Sequence, residues 1–408
     1  MSSACRFCST PLTHTFCDLG MSPLSNSYIE PGDANGDEAL YPLHARVCSV
    51  CYLVQLEEFE SPQNIFSDYA YFSSYSDSWL AHCKSYVEQM SSQLCLDGSS
   101  SVIEIASNDG YLLQYFVAAG IPVLGIEPAA NVAEAATARG IPTLVRFFGV
   151  ETARELAESG QQADLLLGNN VLAHVPDIND FVAGMAIVLK PDGVITMEFP
   201  HVMQLIRNNQ FDTIYHEHFS YLSLLSAEKI FAAHGLQVFD VEELATHGGS
   251  LRIFARHATS ADVSARVVAL RKAEADAGLE RMDTYTEFDK QVEATRSLLR
   301  DFIRSAKNDG KRIAAYGAPA KGNTLLNFCG IGTDAIDFTV DRSPAKQGRL
   351  LPGTRIPVFA PEKLLHEKPD YVLILPWNIK DEIMAKMDQV RDWGGKFVVP
   401  IPAVEVIE

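Results

Sequence analysis

The chain has 408 residues, 47% of them hydrophobic and 21% charged, which is typical of a globular protein with two or three domains. Its formal net charge of -19 argues against a nucleic-acid-binding protein, which would carry a basic surface. No apolar run approaches the ~20 residues that span a bilayer, and the first residues lack the apolar core of a signal peptide, so we expect a cytoplasmic protein with no membrane partner.

The first predicted unit carries two Cys-x-x-Cys pairs, whose thiols belong to Cys5, Cys8, Cys48 and Cys51. In a reducing compartment such pairs indicate metal binding rather than disulfides. Two tight turns would direct four thiolates at one zinc ion and leave no open coordination position, so we predict a structural zinc site. His14 and Cys17 are rival ligands, and four free cysteines or a redox dithiol are the alternatives.

An aromatic-rich segment follows this unit and contains Tyr69 and Tyr71. These tyrosines are candidate lid residues, because aromatic rings can cover a bound ligand and exclude water. Ordinary packing between domains is the alternative for each of them.

Strand and helix patterns alternate in the central part of the chain. Buried strands are predicted at 101–106, 122–126, 164–168 and 194–198, with helices at 111–120 and 131–139. This alternation indicates a largely parallel sheet with both faces covered. Ligands of such sheets bind at the carboxyl ends of the strands.

The turn after the first of these strands is Ser107, Asn108, Asp109 and Gly110, and Glu127 ends the second strand. An acid about 20 residues after such a turn is typical of a ribose clamp. The turn lacks the glycine pattern that cradles a pyrophosphate, whereas Asn108 and Asp109 suit an amino-acid tail. This combination favours S-adenosylmethionine as the ligand; an ordinary polar turn is the alternative.

Asn169 and Asn170 stand at the end of the third strand, where the methionyl part of the cofactor and the substrate are expected. His174 follows closely. It is a candidate active-site residue or, alternatively, a core or capping histidine.

The run from Asp212 to Tyr221 is the densest concentration of proton-transfer chemistry in the chain. It contains Tyr215, His216, Glu217 and His218, each able to move or stabilise a proton. A polar loop with satisfied core histidines is the alternative interpretation of the run.

Residues 262–308 are predicted to form two helices without a catalytic role, and residues 311–408 a further α/β unit. The turn that contains Gly317, Lys321 and Asn323 joins its first strand to a helix. Backbone amides at a helix N-terminus and the lysine would suit a diphosphate, although a solvated lysine is the alternative. Trp377 and Asn378, at a later strand end, are candidates for contacts with a base or sugar.

Several unusual strings occur in a fixed order along the chain: Asp18–Asn26, Tyr75–Trp79, Glu104–Gly110, Asn170–His174, Tyr215–Tyr221, His247–Arg252 and Tyr316–Asn323. With the cysteine pairs, they resemble the C-methyltransferases of branched deoxysugar biosynthesis, over essentially the whole chain. In these strings Ala106 replaces the glycine that we expect.

The resemblance implies an α/β fold with three domains. A small zinc-binding domain (1–66) precedes a Rossmann-like S-adenosylmethionine methyltransferase domain (67–245), and a C-terminal α/β domain (246–408) completes the sugar-nucleotide site. Zn²⁺ and S-adenosylmethionine are the expected cofactors. The cofactor residues are predicted to be Tyr69, Glu104, Ser107, Asn108, Asp109, Gly110, Glu127, Asn169 and Asn170. The substrate residues are predicted to be Tyr71, Gly317, Lys321, Asn323, Trp377 and Asn378.

The expected substrate is a 4-keto-6-deoxyhexose linked to dTDP or GDP. Its keto group makes the proton on carbon 3 removable, and the resulting enolate would attack the sulfonium methyl group. We expect His218 to be the general base, with Tyr215 assisting proton transfer or stabilising the enolate. The roles of these two could be exchanged. Glu217 and His174 are expected to tune the site.

A methyltransferase for another small acceptor is the second hypothesis, and a non-catalytic zinc-containing scaffold is the third. We expect a monomer rather than an obligate oligomer.

Overall fold

A computed structural model describes residues 4–33, 36–61, 73–75, 77–258 and 262–408. Three sheets organise these residues. The predicted lid residues Tyr69 and Tyr71 lie outside the described residues. None of the helices in the described ranges is both long and apolar enough to cross a membrane.

The N-terminal sheet joins two distant parts of the chain. Its strands are β1 (His14–Ser22), β2 (Tyr41–Val47), β3 (Val54–Gln55) and β9 (Ser220–Tyr221), in the order β1-β2-β3-β9. All three pairings are antiparallel. Because β9 consists of the last two residues of the run from Asp212 to Tyr221, the zinc-binding unit and that run share one hydrogen-bonded sheet.

The central sheet has seven strands in the order β10-β11-β8-β7-β4-β5-β6. Five are mutually parallel: β4 (Val102–Ile105), β5 (Val123–Ile126), β6 (Thr143–Leu144), β7 (Ala163–Asn169) and β8 (Leu189–Pro200). The last two, β10 (Leu236–Leu244) and β11 (Ser250–His257), form an antiparallel hairpin on β8. All four residues of β4 are buried, as expected for a parallel strand covered on both faces. The predicted α/β class is therefore confirmed.

The helices of the central region are α1 (Asp77–Gln93), α2 (Leu113–Ala118), α3 (Ala130–Ala138), α4 (Val150–Glu158), α5 (Ile178–Val188), α6 (Val202–Arg207) and α7 (Leu224–Ala233). The predicted domain boundary at residue 245 falls between β10 and β11, two strands that are hydrogen-bonded to each other. The division into three domains stays a prediction.

Three helices, not the predicted two, connect the sheets: α8 (Ala265–Asp276), α9 (Met282–Thr286) and α10 (Phe288–Asn308). The short α9 occupies the weak point of the helical pattern, just after Gly278, whose φ is +83°. Helix α10 packs against the N-terminal unit, since Phe288 stacks on Phe16 of β1 with ring centroids 4.7 Å apart.

The C-terminal sheet has six strands in the order β14-β13-β12-β15-β16-β17. They are β12 (Ile313–Tyr316), β13 (Thr339–Val340), β14 (Val358–Phe359), β15 (Tyr371–Ile374), β16 (Lys396–Val399) and β17 (Glu405–Ile407). All are parallel except β17. Its helices are α11 (Ala320–Cys329), α12 (Glu362–Glu367) and α13 (Lys380–Lys386).

Candidate active site

The four predicted zinc ligands converge. The Sγ atoms of Cys5 and Cys51 are 3.6 Å apart, and Cys8 Sγ lies 3.4 Å from Cys48 Sγ and 3.7 Å from Cys51 Sγ. A tetrahedral site with Zn–S bonds of about 2.3 Å has sulfur–sulfur edges of about 3.8 Å. The thiols are therefore spaced as one zinc ion requires. The described residues place neither His14 nor Cys17 in this group.

The turns of the two cysteine pairs have the same construction. Ser9 and Tyr52 each donate their N–H to the carbonyl of the first cysteine of the pair, and both have a positive φ. Gln55 of β3 donates from Nε2 to Cys5 Sγ at 3.2 Å. The site is thus tied to the strand that pairs with β9.

At the carboxyl edge of the central sheet, Glu127 holds the first turn in place. Its Oε2 accepts the N–H of Asn108 and its Oε1 accepts the N–H of Ala129, each at 2.9 Å. Burial raises the pKa of this carboxyl group. Each oxygen keeps a lone pair that a ribose hydroxyl could use.

The turn that follows β4 is built on positive φ angles: +56° at Ala106, +48° at Asn108 and +75° at Gly110. Ala106 therefore adopts a conformation that favours glycine, the residue expected there. At Gly110 a Cβ atom would lie 2.2 Å from Ile141 Cδ1, so a side chain has no room.

The side chains of this turn lie at the carboxyl edge of the central sheet and also contact other residues of the protein. Asn108 Oδ1 accepts the N–H of Ser73, and Asp109 Oδ2 pairs with Arg139 at 3.2 Å. A direct contact of these side chains with the methionyl tail stays a prediction. Burial raises the pKa of Glu104 on β4 well above its usual range, despite the hydroxyl group of Tyr111 nearby.

Three buried polar atoms at this edge have no hydrogen-bond partner among the described residues: Ser107 Oγ, Asp109 Oδ1 and Asn170 Oδ1. Buried polar groups in proteins are nearly always satisfied. A polar cofactor across the strand ends would supply the missing partners, so the residues present fit S-adenosylmethionine.

Asn169 and Asn170 occupy the neighbouring strand end. Asn169 Nδ2 donates to the Tyr111 hydroxyl at 3.4 Å, and Asn170, with φ +55°, donates its N–H to the carbonyl of Glu198 at 2.7 Å.

The carboxyl group of Glu198 centres a network that sequence reasoning missed. It accepts from His82 at 3.0 Å, Arg252 at 2.6 Å and Thr246 at 2.9 Å. Burial acts to raise the pKa of Glu198, but the bond from His82 and the charge of Arg252 lower it to about 2. The network ties α1 and the β10–β11 connection to the end of β8.

His247 lies in that connection with φ +54°, and its ring centroid is 5.3 Å from that of Trp79. The only sequence signals for Trp79, His247 and Arg252 were the strings that carried the family resemblance.

Tyr215, His218 and His174 form a close cluster. The ring centroids of Tyr215 and His218 are 4.0 Å apart, and those of His174 and His218 are 4.7 Å apart. These residues lie in a tight turn, in which the N–H of His218 donates to the carbonyl of Tyr215 at 2.8 Å. A turn brings positions three apart together just as a helix does.

Backbone carbonyls fix the tautomers of both histidines. Nδ1 of His218 donates to the carbonyl of Thr213 at 2.9 Å, and Nδ1 of His174 donates to the carbonyl of Glu217 at 2.7 Å. Since a carbonyl can only accept, Nε2 of each ring carries the lone pair. Burial and neighbouring His174 hold the pKa of His218 well below its usual range, and burial lowers that of His174 to about 4. Both imidazoles are neutral at pH 7.

The carboxyl group of Glu217 points away from the histidines. Its Oε1 accepts from Asn26 Nδ2 at 2.6 Å, whereas its backbone carbonyl accepts from His174 Nδ1. His216 lies toward the N-terminal unit, within 3.3 Å of the carbonyl of Pro42.

Glu217 leads to a testable pH dependence, because burial raises the pKa of its carboxyl group from the ordinary 4.5 to about 7. Between these values the folded protein binds more protons than the unfolded chain, so the free energy of unfolding falls as pH rises. Glu217→Gln removes this titration and keeps an oxygen for Asn26. Between about pH 5.5 and about pH 8, we expect the free energy of unfolding of the variant to rise by about 2 kcal/mol relative to that of the wild type. Urea denaturation at both pH values measures this gain; a pH-independent difference would contradict it.

The C-terminal candidates lie against the same run. Lys321 Nζ hydrogen-bonds Asn378 Oδ1 and sits 4.4 Å from the centroid of the Trp377 ring, whose Nε1 donates to Asp212 at 2.7 Å. Burial lowers the pKa of Lys321 to about 8 and raises that of Asp212 to about 6.

Gly317 and Asn323 have structural contacts in the same region. Gly317 has φ +91°, and a Cβ there would lie 2.5 Å from Pro376. Asn323 Nδ2 donates to the carbonyl of Ser25 at 2.6 Å. Whether either residue touches substrate stays a prediction.

Comparison with known proteins gives matches to the N-terminal, central and C-terminal parts of the chain. Family models match residues 5–66 as a zinc binding domain, 79–241 as a methyltransferase domain and 245–402 as a C-methyltransferase C-terminal domain. The C-methyltransferase NovU of Streptomyces niveus is 38% identical over 404 residues, which are 99% of this chain and 96% of that protein.

The chain belongs to this C-methyltransferase family. It is thus an S-adenosylmethionine-dependent C-methyltransferase with a zinc-binding domain, and the scaffold hypothesis is wrong.

Other similarities are partial. A ubiquinone biosynthesis O-methyltransferase of Rhizobium etli is 32% identical over 117 residues, 28% of this C-methyltransferase and 46% of that protein. The magnesium protoporphyrin IX methyltransferase of Synechocystis PCC 6803 aligns with 15% identity and a TM-score of 0.35, over 43% of this chain and 82% of that one.

Proposed function

We propose that the enzyme methylates carbon 3 of a nucleotide-linked 4-keto-6-deoxy sugar through an enolate, in branched-chain deoxysugar biosynthesis. The observation that carries the proposal is the cluster of Tyr215, His218 and His174. The ring centroids of the Tyr215 phenol and of the neutral His174 imidazole both lie within 4.7 Å of that of the neutral His218 imidazole. Methylation of carbon requires a carbon nucleophile, and a base is needed to make one next to a keto group.

In this mechanism, Nε2 of His218 takes the proton from carbon 3, and the electron pair of that C–H bond passes to the keto oxygen as an enolate. His218 suits this step because its Nδ1 proton is held by Thr213. The Tyr215 hydroxyl stabilises the enolate oxygen. Tyr215 as the base and His218 as the stabiliser is the reversed assignment.

S-adenosylmethionine, when bound, supplies the electrophilic methyl group that carbon 3 takes up. The residues that would hold it are Glu127 and the turn 107–110, with Asn169 and Asn170 at the next strand end. The imidazolium of His218 returns its proton to solvent after transfer. Burial favours this release, because it disfavours the charged form of the His218 imidazole.

The C-terminal domain supports a nucleotide-linked acceptor. Lys321 and the N-terminus of the ten-residue helix α11 face the run that holds the catalytic cluster, and together they suit a diphosphate. A methyltransferase for an acceptor without phosphate would leave this lysine with no ligand to bind.

A panel of 4-keto-6-deoxyhexoses linked to dTDP or GDP tests the proposal. Incubated with S-adenosylmethionine, at least one should gain the mass of one methyl group, located at carbon 3 by NMR. In deuterated water without methyl donor, the proton on carbon 3 should exchange. If no sugar of the panel gains a methyl group, the proposal is wrong. The second hypothesis, a methyltransferase for another small acceptor, would then remain.

A further inference from the structure

The connection between β10 and β11 holds a histidine that the proposed mechanism does not use, His247. Three consecutive residues of this connection have positive φ angles: +54° at His247, +91° at Gly248 and +119° at Gly249. Glycine adopts such angles freely, whereas a residue with a side chain is strained there. Strained backbone of this kind is concentrated at ligand-binding sites, where the surrounding structure holds it in place. His247 is therefore a candidate functional residue.

The central and C-terminal parts of the chain both hold this connection. On the central side, Thr246 Oγ1 donates to Glu198 Oε1 at 2.9 Å. On the C-terminal side, a Cβ atom at Gly248 would lie 2.7 Å from Cη2 of Trp377, so the backbone packs directly on the indole ring. Gln210 Nε2 donates to the carbonyl of Gly248 at 2.7 Å. The connection is thus fixed where the two parts of the chain meet.

His247 lies among the groups of the candidate active site. Its ring centroid is 5.3 Å from that of Trp79 on α1. Burial lowers the pKa of His247 to about 4, against the nearby charge of Glu198 and together with that of Lys321. Besides burial, the charge of His247 contributes to the low pKa of His218, the proposed base. His247 is therefore neutral at pH 7 and close to both the base and the lysine.

The imidazole of His247 is open to a ligand. His247 is exposed, and its ring has no hydrogen-bond partner among the described residues. In contrast, a backbone carbonyl holds Nδ1 of His218 and of His174. A ring that water reaches, but that protein otherwise surrounds, lies on the wall of a cleft. A neutral imidazole offers one N–H donor and one lone pair, and a hydroxyl group can pair with either.

We propose that His247 is a substrate-binding residue, whose ring forms a hydrogen bond with a hydroxyl group of the acceptor hexose. This inference rests on the proposed function, because a sugar bound between His218 and Lys321 lies against His247. The contact helps to select the acceptor, since a sugar without this hydroxyl group leaves the ring unpaired. It also helps to hold carbon 3 at the base.

Steady-state kinetics of the zinc-loaded, full-length enzyme test this role with the sugar nucleotide that the panel identifies. His247→Phe keeps a ring beside Trp79, and His247→Gly suits the left-handed backbone; both remove the ring nitrogens. Each should raise KM for the sugar nucleotide about three- to tenfold, as expected for the loss of one hydrogen bond. The kcat should stay within about twofold of the wild type, because a contact made equally in the ground and transition states changes only KM.

Two further variants complete the kinetic test. His247→Asn keeps an amide donor and acceptor and tolerates a positive φ, so its KM should lie closer to that of the wild type. His366→Phe changes another exposed histidine, on α12, and should behave like the wild type. The affinity of every variant for S-adenosylmethionine, measured by calorimetry, should be unchanged.

Chemical modification tests the contact without catalysis. Diethyl pyrocarbonate acylates accessible neutral imidazoles, and mass spectrometry of peptides locates the modified residues. In the wild type loaded with S-adenosylhomocysteine, saturating sugar nucleotide should suppress the modification of His247 and leave that of His366 unchanged.

Two results would overturn the inference. One is a wild-type KM in folded His247→Phe and His247→Gly, with folding checked by thermal unfolding. The other is modification of His247 at the same rate with and without sugar nucleotide. A loss of affinity for S-adenosylmethionine with an unchanged KM would also contradict it, because His247 would then act on the methyl donor.

The two proposals fail differently. If a panel sugar is methylated at carbon 3 but the His247 variants keep its KM, the proposed function stands and His247 does not bind the sugar. If a panel sugar protects His247 from modification but none is methylated, the contact stands and the proposed reaction fails. Neither methylation nor protection by any panel sugar would overturn both.

Discussion

His218→Asn should reduce kcat by about 100-fold to 10,000-fold, the usual contribution of a positioned general base. Asparagine keeps an N–H group for the carbonyl of Thr213, so the turn that holds the residue can persist. The variant lacks only the Nε2 lone pair. The affinity for S-adenosylmethionine, measured by calorimetry, should stay that of the wild type, and deuterium exchange at carbon 3 should disappear together with methyl transfer.

Tyr215→Phe and His216→Asn complete this series. The phenylalanine variant should lose less activity than His218→Asn if the tyrosine only stabilises the enolate, and more if it is the base. His216→Asn is the matched control, because this neighbouring histidine lies toward Pro42 and should not affect exchange at carbon 3. Near-normal turnover in both His218→Asn and Tyr215→Phe would show that the base lies outside this cluster.

Removal of zinc should abolish activity, although four thiolates would leave the ion no open coordination position for chemistry. A structural zinc site of this kind contributes roughly 10–16 kcal/mol to the folding of small domains. Without it we expect the segment up to about residue 61 to unfold. Its strand β3 pairs with β9, and Leu56 donates to the carbonyl of Phe219, the residue after His218. Unfolding would therefore release the run from Asp212 to Tyr221, in which the proposed catalytic residues lie.

Chelation followed by limited proteolysis and an activity assay measures this effect. The purified enzyme should contain about one zinc per chain. Cys48→Ser removes one of the four thiols and should lower zinc content and activity together. Cys95→Ser changes an exposed cysteine outside the cluster and should leave both unchanged. A zinc-free enzyme that kept its turnover would contradict the proposed coupling.

Local patterns allowed much of the site to be predicted. A Cys-x-x-Cys pair defines its own turn, so two pairs were enough to predict all four zinc ligands, and the structure confirms that they converge. The position of Glu127 after its strand was likewise visible, because strand, turn and helix are set by neighbours in sequence. The run from Tyr215 to His218 was recognised by composition alone.

Backbone contacts could not be predicted in this way. The carbonyl groups of Thr213 and Glu217 fix the tautomers of His218 and His174, and a carbonyl group carries no residue identity that a sequence pattern could reveal.

The amino-acid sequence alone was enough to find the four cysteines that converge and the parallel α/β class. It also predicts Glu127 as the acid that binds the ribose, and Tyr215 and His218 as the proton-transfer residues. Each of these depends on residues that are close along the chain. Tertiary packing was needed to show that Asn26 binds Glu217 and that β9 completes the zinc-binding sheet. Asn26 and Glu217 are 191 positions apart, and the packing of separate units, not local preference, brings such groups together.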